Sequence, residues 1–188
     1  MRSNEIDSDF EFFAVRSFDW LSRNSAASER YHVLSCPDWV NVIAFTQKQE
    51  LISVKQFRHG ASVRNHELPG GMISSGCTPL EAAQGELFEE TGYASKHWYQ
   101  AGRYRPNAAL QNNWCYSFVC FEATQETSRR PDELELCLIE AQCFPTFLED
   151  ELMSQALMVT SLLLAKRNLS KVASPDHLDV AKEFLRAL

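Results

Sequence analysis

Glu86, Glu89 and Glu90 stand close together in the run Glu86-Leu87-Phe88-Glu89-Glu90-Thr91-Gly92. If the run is helical, at about 100° per residue, the three carboxylates fall within one arc of roughly 100°. Like charges held side by side repel, so something must compensate them. A hard divalent cation, which prefers carboxylate oxygens, is the natural partner. Gly70-Gly71 precedes this run and can bring backbone groups close to an anion or a metal. An acidic face turned to water is the alternative, and the spacing alone does not choose between them.

The surrounding elements must hold that cluster in place. Thr78 is a suitable N-cap, Pro79 takes the first helical position, and Glu81 stands three residues after the cap as in a capping box. The helix is expected to reach about Glu90 and stop at Gly92. Leu80, Leu87 and Phe88 are expected on its sheet-facing side. Val, Ile and aromatic residues predict strands at Tyr31–Ser35, Trp39–Thr46 and Leu51–Phe57, with shorter ones at Phe10–Val15 and Arg64–Leu68. Asp19–Ser28 reads as a turn or loop. After the acidic helix, strands are expected at Trp98–Tyr104, Cys115–Ala123 and Leu134–Phe144. A second helix is expected over Leu148–Arg167, with Leu152, Ala156, Val159 and Leu163 inward, then a short one from Ser174–Pro175. The pattern is α/β: a mixed sheet with helices packed on it.

A chain of 188 residues suits one domain with a real core. Its 18 basic and 25 acidic residues give a net charge of -7, which argues against binding nucleic acid. A small anionic ligand remains compatible, because a metal and a few arginines can reverse the field in one cleft. The N-terminus has no basic start followed by an apolar run, and no stretch approaches the roughly 20 apolar residues of a membrane span. The six cysteines form no C-x-x-C pair. They are expected to be reduced and mostly buried, in a cytoplasmic protein.

The segment Gly71 to Tyr93 resembles the Nudix box. That pattern is Gly, five residues, Glu, seven residues, Arg-Glu, an apolar residue, any residue, Glu-Glu, any residue, Gly, and an apolar residue. Gly71, Glu86, Leu87, Glu89, Glu90, Gly92 and Tyr93 match it in register. The resemblance implies a Nudix α/β/α sandwich, with Glu86, Glu89 and Glu90 holding Mg²⁺ or, as a substitute, Mn²⁺, and the Gly70 carbonyl as a further ligand. Cys77 stands where the box has Glu, and Gly85 where it has Arg. In the family that arginine helps to orient the carboxylates. Losing both charged groups strands neither, so the expectation is activity that is reduced rather than absent. Gly85 also weakens the helix interior by about 1 kcal/mol relative to Ala.

Beyond the box, Val54-Lys55-Gln56-Phe57-Arg58-His59-Gly60, Glu67-Leu68-Pro69-Gly70-Gly71, Asp38-Trp39-Val40-Asn41-Val42 and Pro106-Asn107-Ala108-Ala109-Leu110-Gln111-Asn112-Asn113 are similar to ADP-ribose and nucleoside-diphosphate-sugar hydrolases. The similarity implies that Arg58 and Glu67 face the substrate, Arg58 pairing with phosphate oxygens through its planar fork. Asn107, Gln111 and Asn112 could bond sugar hydroxyls or a base edge, or equally cap turns. Trp39 could stack on a base or belong to the core. A carboxylate must accept the proton of the attacking water. By the subgroup's habit it is sought after the box, with Glu135 first, Glu133 second and Glu89 as the rival.

The expected reaction splits a nucleotide-sugar substrate into a nucleoside monophosphate and a sugar phosphate. Rival expectations are a weak or inactive module that binds a nucleotide, and a hydrolase of dinucleoside polyphosphates or capped RNA. The resemblance also implies a homodimer. Residues 1–35 would supply N-terminal strands for it, 36–169 the hydrolase domain, and 170–188 a tail or short helix.

Overall fold

The computed structural model describes residues 5–21, 28–129, 131–150 and 154–188. Its centre is strand β4 (Trp39–Thr46), almost wholly buried, whose Val, Ile, Ala and Phe side chains suit burial on both faces of a sheet. Strand β10 (Cys115–Gln125) lies parallel to it, and β5 (Leu51–Arg58) antiparallel on its other side. Strand β11 (Glu135–Ile139) pairs with β5, and β8 (Tyr93–Ala94) with β10. Three strands join off this path: β6 (Val63–Glu67) beside β5, β7 (Gly70–Met72) beside β4, and β9 (His97–Tyr104) beside β10. The sheet is therefore mixed.

Helix α1 (Pro79–Thr91) covers one face, packing Ala83 and Leu87 against Val40, Val42, Ile52 and Phe118. Helices α2 (Phe144–Asp150), α3 (Ala156–Val172) and α4 (Pro175–Ala187) cover the other, around Phe45, Phe121, Leu162 and Phe184. This is the expected α/β/α sandwich.

A separate sheet is formed by β1 (Glu5–Asp9), β2 (Ala14–Leu21) and β3 (Ser28–Ser35). The expected strand at Phe10–Val15 is instead mostly the turn between β1 and β2, closed by Phe10 N–H donating to the Phe13 carbonyl at 2.9 Å. Of the loop expected over Asp19–Ser28, Asp19 and Leu21 lie in β2 and Ser28 in β3, with Asp19 opposing Arg30 in the ladder and pairing with its guanidinium at 3.0 Å; residues 22–27 lie outside the described residues.

The strand expected to reach Phe144 stops at Ile139, and a 3₁₀ turn (Ala141–Cys143) leads into α2. Pro145 suits the first turn of that helix, where no backbone donor is needed. The single helix expected over Leu148–Arg167 is two, and the break resets the phase of the buried stripe. In α3 the inner residues are Met158, Leu162, Ala165 and Leu169, rather than Val159 and Leu163; Leu152 lies outside the described residues. Helix α3 runs without interruption past position 170, and α4 adds Ala181 and Phe184 to the main core. Of the cysteines, only Cys115 and Cys120 are buried, while Cys77 and Cys143 are exposed, which corrects the expectation of mostly buried thiols. Among the described residues, no helix is long and apolar enough to cross a membrane.

Candidate active site

The acidic helix begins and ends as its residues dictate. Glu81 N–H donates to the Thr78 hydroxyl at 3.2 Å, and Thr78 N–H donates to the Glu81 carboxylate at 2.8 Å. At its end Gly92 adopts φ 76°, and its N–H donates to the Phe88 carbonyl at 2.8 Å. A Cβ at Gly92 would lie 2.0 Å from the Thr127 carbonyl, so the left-handed turn and the crowding both require glycine.

The buried face of α1 is Ala83, Leu87 and Thr91, whereas Leu80 and Phe88 are 38% and 43% exposed. Phe88 stands about 100° from Leu87 and so turns off the sheet side, whereas Leu80 shares the Leu87 direction to within about 20° but lies exposed in the first turn of the helix. At about 100° per residue, Glu90 lies only about 60° from Leu87, at the margin of the buried face. Glu89 lies on the far side. The three glutamates therefore stand in graded environments: Glu90 and Glu86 half-buried, Glu89 exposed.

Burial pushes the Glu90 carboxyl up to about 8, reinforced by the Glu86 and Glu67 charges and opposed by the Gly70 N–H and by Arg58. Glu86 is also raised, by burial first and then by the Glu89 charge. Both shifts report anionic groups lacking compensation, and a cation would supply it. The donor set, carboxylate oxygens beside a glycine backbone, suits Mg²⁺ or Mn²⁺.

Gly70 and Gly71 lie on β7, paired with Asn41 and Val40. Gly70 N–H donates to Glu90 at 3.0 Å, tying the loop to the helix. A Cβ at Gly71 would lie 2.2 Å from a Glu86 carboxylate oxygen, whereas one at Gly70 would lie 2.2 Å from the Val40 backbone carbonyl. The two glycines should therefore respond differently to substitution. Gly71→Ala displaces only the end of a flexible side chain, so melting temperature should hold while turnover falls about tenfold or more. Gly70→Ala presses on backbone that cannot yield, and should lower the melting temperature itself. Thermal melts paired with initial rates check both.

Glu67, only 1% exposed, is held by four side-chain donors. Arg58 grips it with two, Nε at 2.7 Å and Nη2 closer still; Gln155 Nε2 approaches at 2.6 Å and Gln56 Nε2 at 3.3 Å. A buried carboxylate is tolerable only when satisfied in this way. The Arg58 side chain remains 47% exposed, so its outer edge is open to a ligand while its fork holds Glu67. Sequence reasoning missed Gln155, which no motif marks, and gave no role to Gln56, although it stands two residues before Arg58 in the run Val54–Gly60.

One cleft of about 620 Å³ gathers Trp39, Arg58, Glu67, Gly70, Gly71, Glu86 and Glu90, with Gln155, Met158 and, from the β1–β2 turn, Phe12. Trp39 is half-buried there, and its indole N–H is buried without a partner among the described residues. Asn41 lies beneath, donating to Ser161 at 3.1 Å and anchoring β4 to α3.

Other expected site residues are placed elsewhere. Cys36 N–H donates to the Asn112 side-chain oxygen at 3.1 Å, Gln111 reaches Cys36 Sγ at 3.8 Å, and the Asn107 carbonyl caps a turn by accepting from Leu110 and Gln111. The Gln111 and Asn112 side chains pin their loop to the end of β3, the Asn107 contact is its backbone carbonyl, and none of the three is among the residues lining the cleft. Within this chain Glu135 is turned away from the acidic helix. The β5–β11 register puts Leu136 on the α1 face beside Val54 and sends Glu135 to the opposite face, where it lies 3.8 Å from Arg64. Glu133 is exposed in the turn before β11. Gly85 faces open space, with only a Glu89 oxygen, at 4.0 Å, near a would-be Cβ. Cys77 is likewise exposed, so neither departure from the box leaves a buried charge unmatched.

A mixed sheet between helices, with a glycine pair set against an acidic helix, defines an α/β/α sandwich whose cleft gathers the Glu67, Glu86 and Glu90 carboxylates beside Arg58. A family model of the NUDIX domain matches residues 37–152, and the chain belongs to that family. It is 32% identical over 113 residues to an ADP-ribose pyrophosphatase of Bacillus subtilis (strain 168), covering 60% of each chain. A putative nudix hydrolase 2 of Caenorhabditis elegans is 29% identical over 140 residues, 68% of this chain and 62% of that one. The chain thus spans about three fifths of the length of these relatives. A crystal structure of an ADP compounds hydrolase shares the fold, with a TM-score of 0.76 at 21% identity, covering 90% of this chain and 92% of that one.

Proposed function

We propose that this protein hydrolyses the diphosphate linkage of ADP-ribose or a nucleoside-diphosphate sugar, giving a nucleoside monophosphate and a sugar phosphate. The observation that carries the reading is the single cleft in which Glu86, Glu90 and the Gly70-Gly71 backbone face Arg58 and Glu67. Similarity to an ADP-ribose pyrophosphatase supports the substrate class.

Glu86, Glu89 and Glu90 would hold Mg²⁺ or Mn²⁺, which supplies neutralisation of the diphosphate charge and a lowered pKa for the attacking water. Arg58 adds charge on the far side of the diphosphate, fixed in orientation by Glu67. The unpaired Trp39 indole N–H is suited to an acceptor on the substrate. We assign proton acceptance to a carboxylate oxygen of Glu89, the most solvent-accessible of the three, in place of Glu135. The same reading takes a homodimer as the working unit, its N-terminal strands extending the wall that Phe12 begins, and the cytoplasm as its location, where free thiols stay reduced.

A substrate panel in Mg²⁺ or Mn²⁺, scored for release of nucleoside monophosphate, tests the proposal. ADP-ribose or diphosphate sugars should turn over fastest. Turnover confined to dinucleoside polyphosphates or capped RNA, or nucleotide binding without turnover, would overturn it.

A further inference from the structure

At the other end of the sheet lies a second group of metal-ligating side chains: His97 at the start of β9, Glu122 in β10 and His177 in the first turn of α4. One ligand atom from each lies within 4.8 Å of the others. The site is remote from the acidic cleft. His97 opposes Phe121 in the β9–β10 ladder, whereas Trp39 of the cleft opposes Cys115. Six residues at about 3.3 Å each separate the two by roughly 20 Å. The packing also differs, since Phe121 and α4 belong to the core on the face opposite α1.

The backbone is shaped to aim Glu122 at the two histidines. Strand β10 carries a bulge between Cys120 and Ala123, and Glu122 within it has φ 54°, a conformation that non-glycine residues rarely adopt. Cys120 and Ala123 both keep to the α1 face, so Glu122 is the extra residue and is released from the alternation. Bulges commonly re-aim a side chain in this way.

His177, only 6% exposed, is held firmly. Its ring stacks on Phe121 with centroids 4.7 Å apart and planes 5° from parallel. Its Nδ1 shares a hydrogen bond of 2.8 Å with the Tyr99 hydroxyl, which leaves Nε2 facing Glu122. A metal-binding histidine needs this kind of partner on its other nitrogen, with Nδ1–H donating to the hydroxyl.

His177 Nε2 lies 3.5 Å and His97 Nε2 3.4 Å from the Glu122 carboxylate oxygens. A charge-assisted N–H···O bond would close to about 2.7–2.9 Å. Bonds of about 2.0–2.1 Å arranged tetrahedrally put neighbouring ligands about 3.4 Å apart. The two contacts, made to different oxygens of one carboxylate, are long for hydrogen bonds and leave room for an ion among the three side chains.

We infer that His97, Glu122 and His177 form a second metal site, distinct from the acidic cleft and suited to Zn²⁺ or a similar borderline ion. Two imidazoles and one carboxylate select such an ion over Mg²⁺. His97 and Glu122 are 45% and 53% exposed, so the ion can enter from solvent and keep a water in the fourth position. Bound there, it fastens the start of α4 to β9 and β10.

Zn²⁺ titration of the metal-stripped full chain against a chromophoric chelator, in millimolar Mg²⁺ to occupy the acidic helix, tests the site. The parent should take up one Zn²⁺ per chain at this site and gain melting temperature with it. His97→Ala and Glu122→Gln, both at exposed side chains, should each weaken uptake at least tenfold and abolish the thermal gain. Zn²⁺ held by the exposed thiols of Cys77 or Cys143 would survive both substitutions. No uptake by the parent, or parent-like affinity in either variant, overturns the inference.

Discussion

Glu90→Gln should lower turnover in Mg²⁺ by at least about a hundredfold while making the metal-free protein more stable at alkaline pH. The two effects have opposite signs because they share one cause. Burial makes the Glu90 charge unfavourable in the metal-free fold, raising its carboxyl from 4.5 to about 8. The folded state then binds a proton that the unfolded state has released. Stability is greatest below about 4.5, declines as pH rises through the window between the two values, and carries the full penalty above about 8. Glutamine keeps an oxygen to accept from Gly70 N–H but never ionises, so its melting temperature in chelator should change less between pH 5.5 and 8.5. The charge that costs stability is the one a cation requires, and loss of such electrostatic stabilisation typically costs about 10²–10³ in rate. Added Mg²⁺ should raise the parent's melting temperature more than the variant's. Unchanged turnover of ADP-ribose in Glu90→Gln would remove the basis of the proposed chemistry.

Whether a feature was legible in the sequence depended on how local its cause was. The cap at Thr78 and the stop at Gly92 are set within one helix, where spacing fixes angle, and both appear as expected. On the buried side of α1 the expected Leu87 is found with Ala83 and Thr91, but Phe88 stands about 100° from it, and Leu80, though within about 20° of Leu87, sits in the exposed first turn, where angle alone does not secure burial. The placement of Glu135 was hidden for a different reason. Its neighbours in sequence look suitable, but a strand's face is set by register with its partner, and Leu136 takes the α1 side. The Gln155–Glu67 bond spans 88 residues, and the His97–Glu122–His177 group draws on three elements brought together by a bulge. No periodicity in the chain announces either one.

Arg58→Ala should destabilise the fold as well as impair substrate use, because Arg58 is the cation that makes the buried Glu67 tolerable. Removing one partner of a buried ion pair typically costs about 3–5 kcal/mol. Here the loss should fall at the lower end, since the arginine is half-exposed and Gln56 and Gln155 continue to donate to Glu67. Lysine in its place keeps the charge but cannot reproduce the two-point grip, so Arg58→Lys should fall between alanine and the parent. The double variant Arg58→Ala with Glu67→Gln removes the stranded charge and should recover much of the stability lost by Arg58→Ala alone. Catalysis should not recover with it. If the exposed edge of Arg58 meets the diphosphate, the double variant will fold well and still show a raised KM and a lowered kcat. Urea denaturation across this cycle, run beside steady-state kinetics, separates the two duties of Arg58. Parent-like stability in the single Arg58→Ala variant would mean that Glu67 does not depend on this arginine.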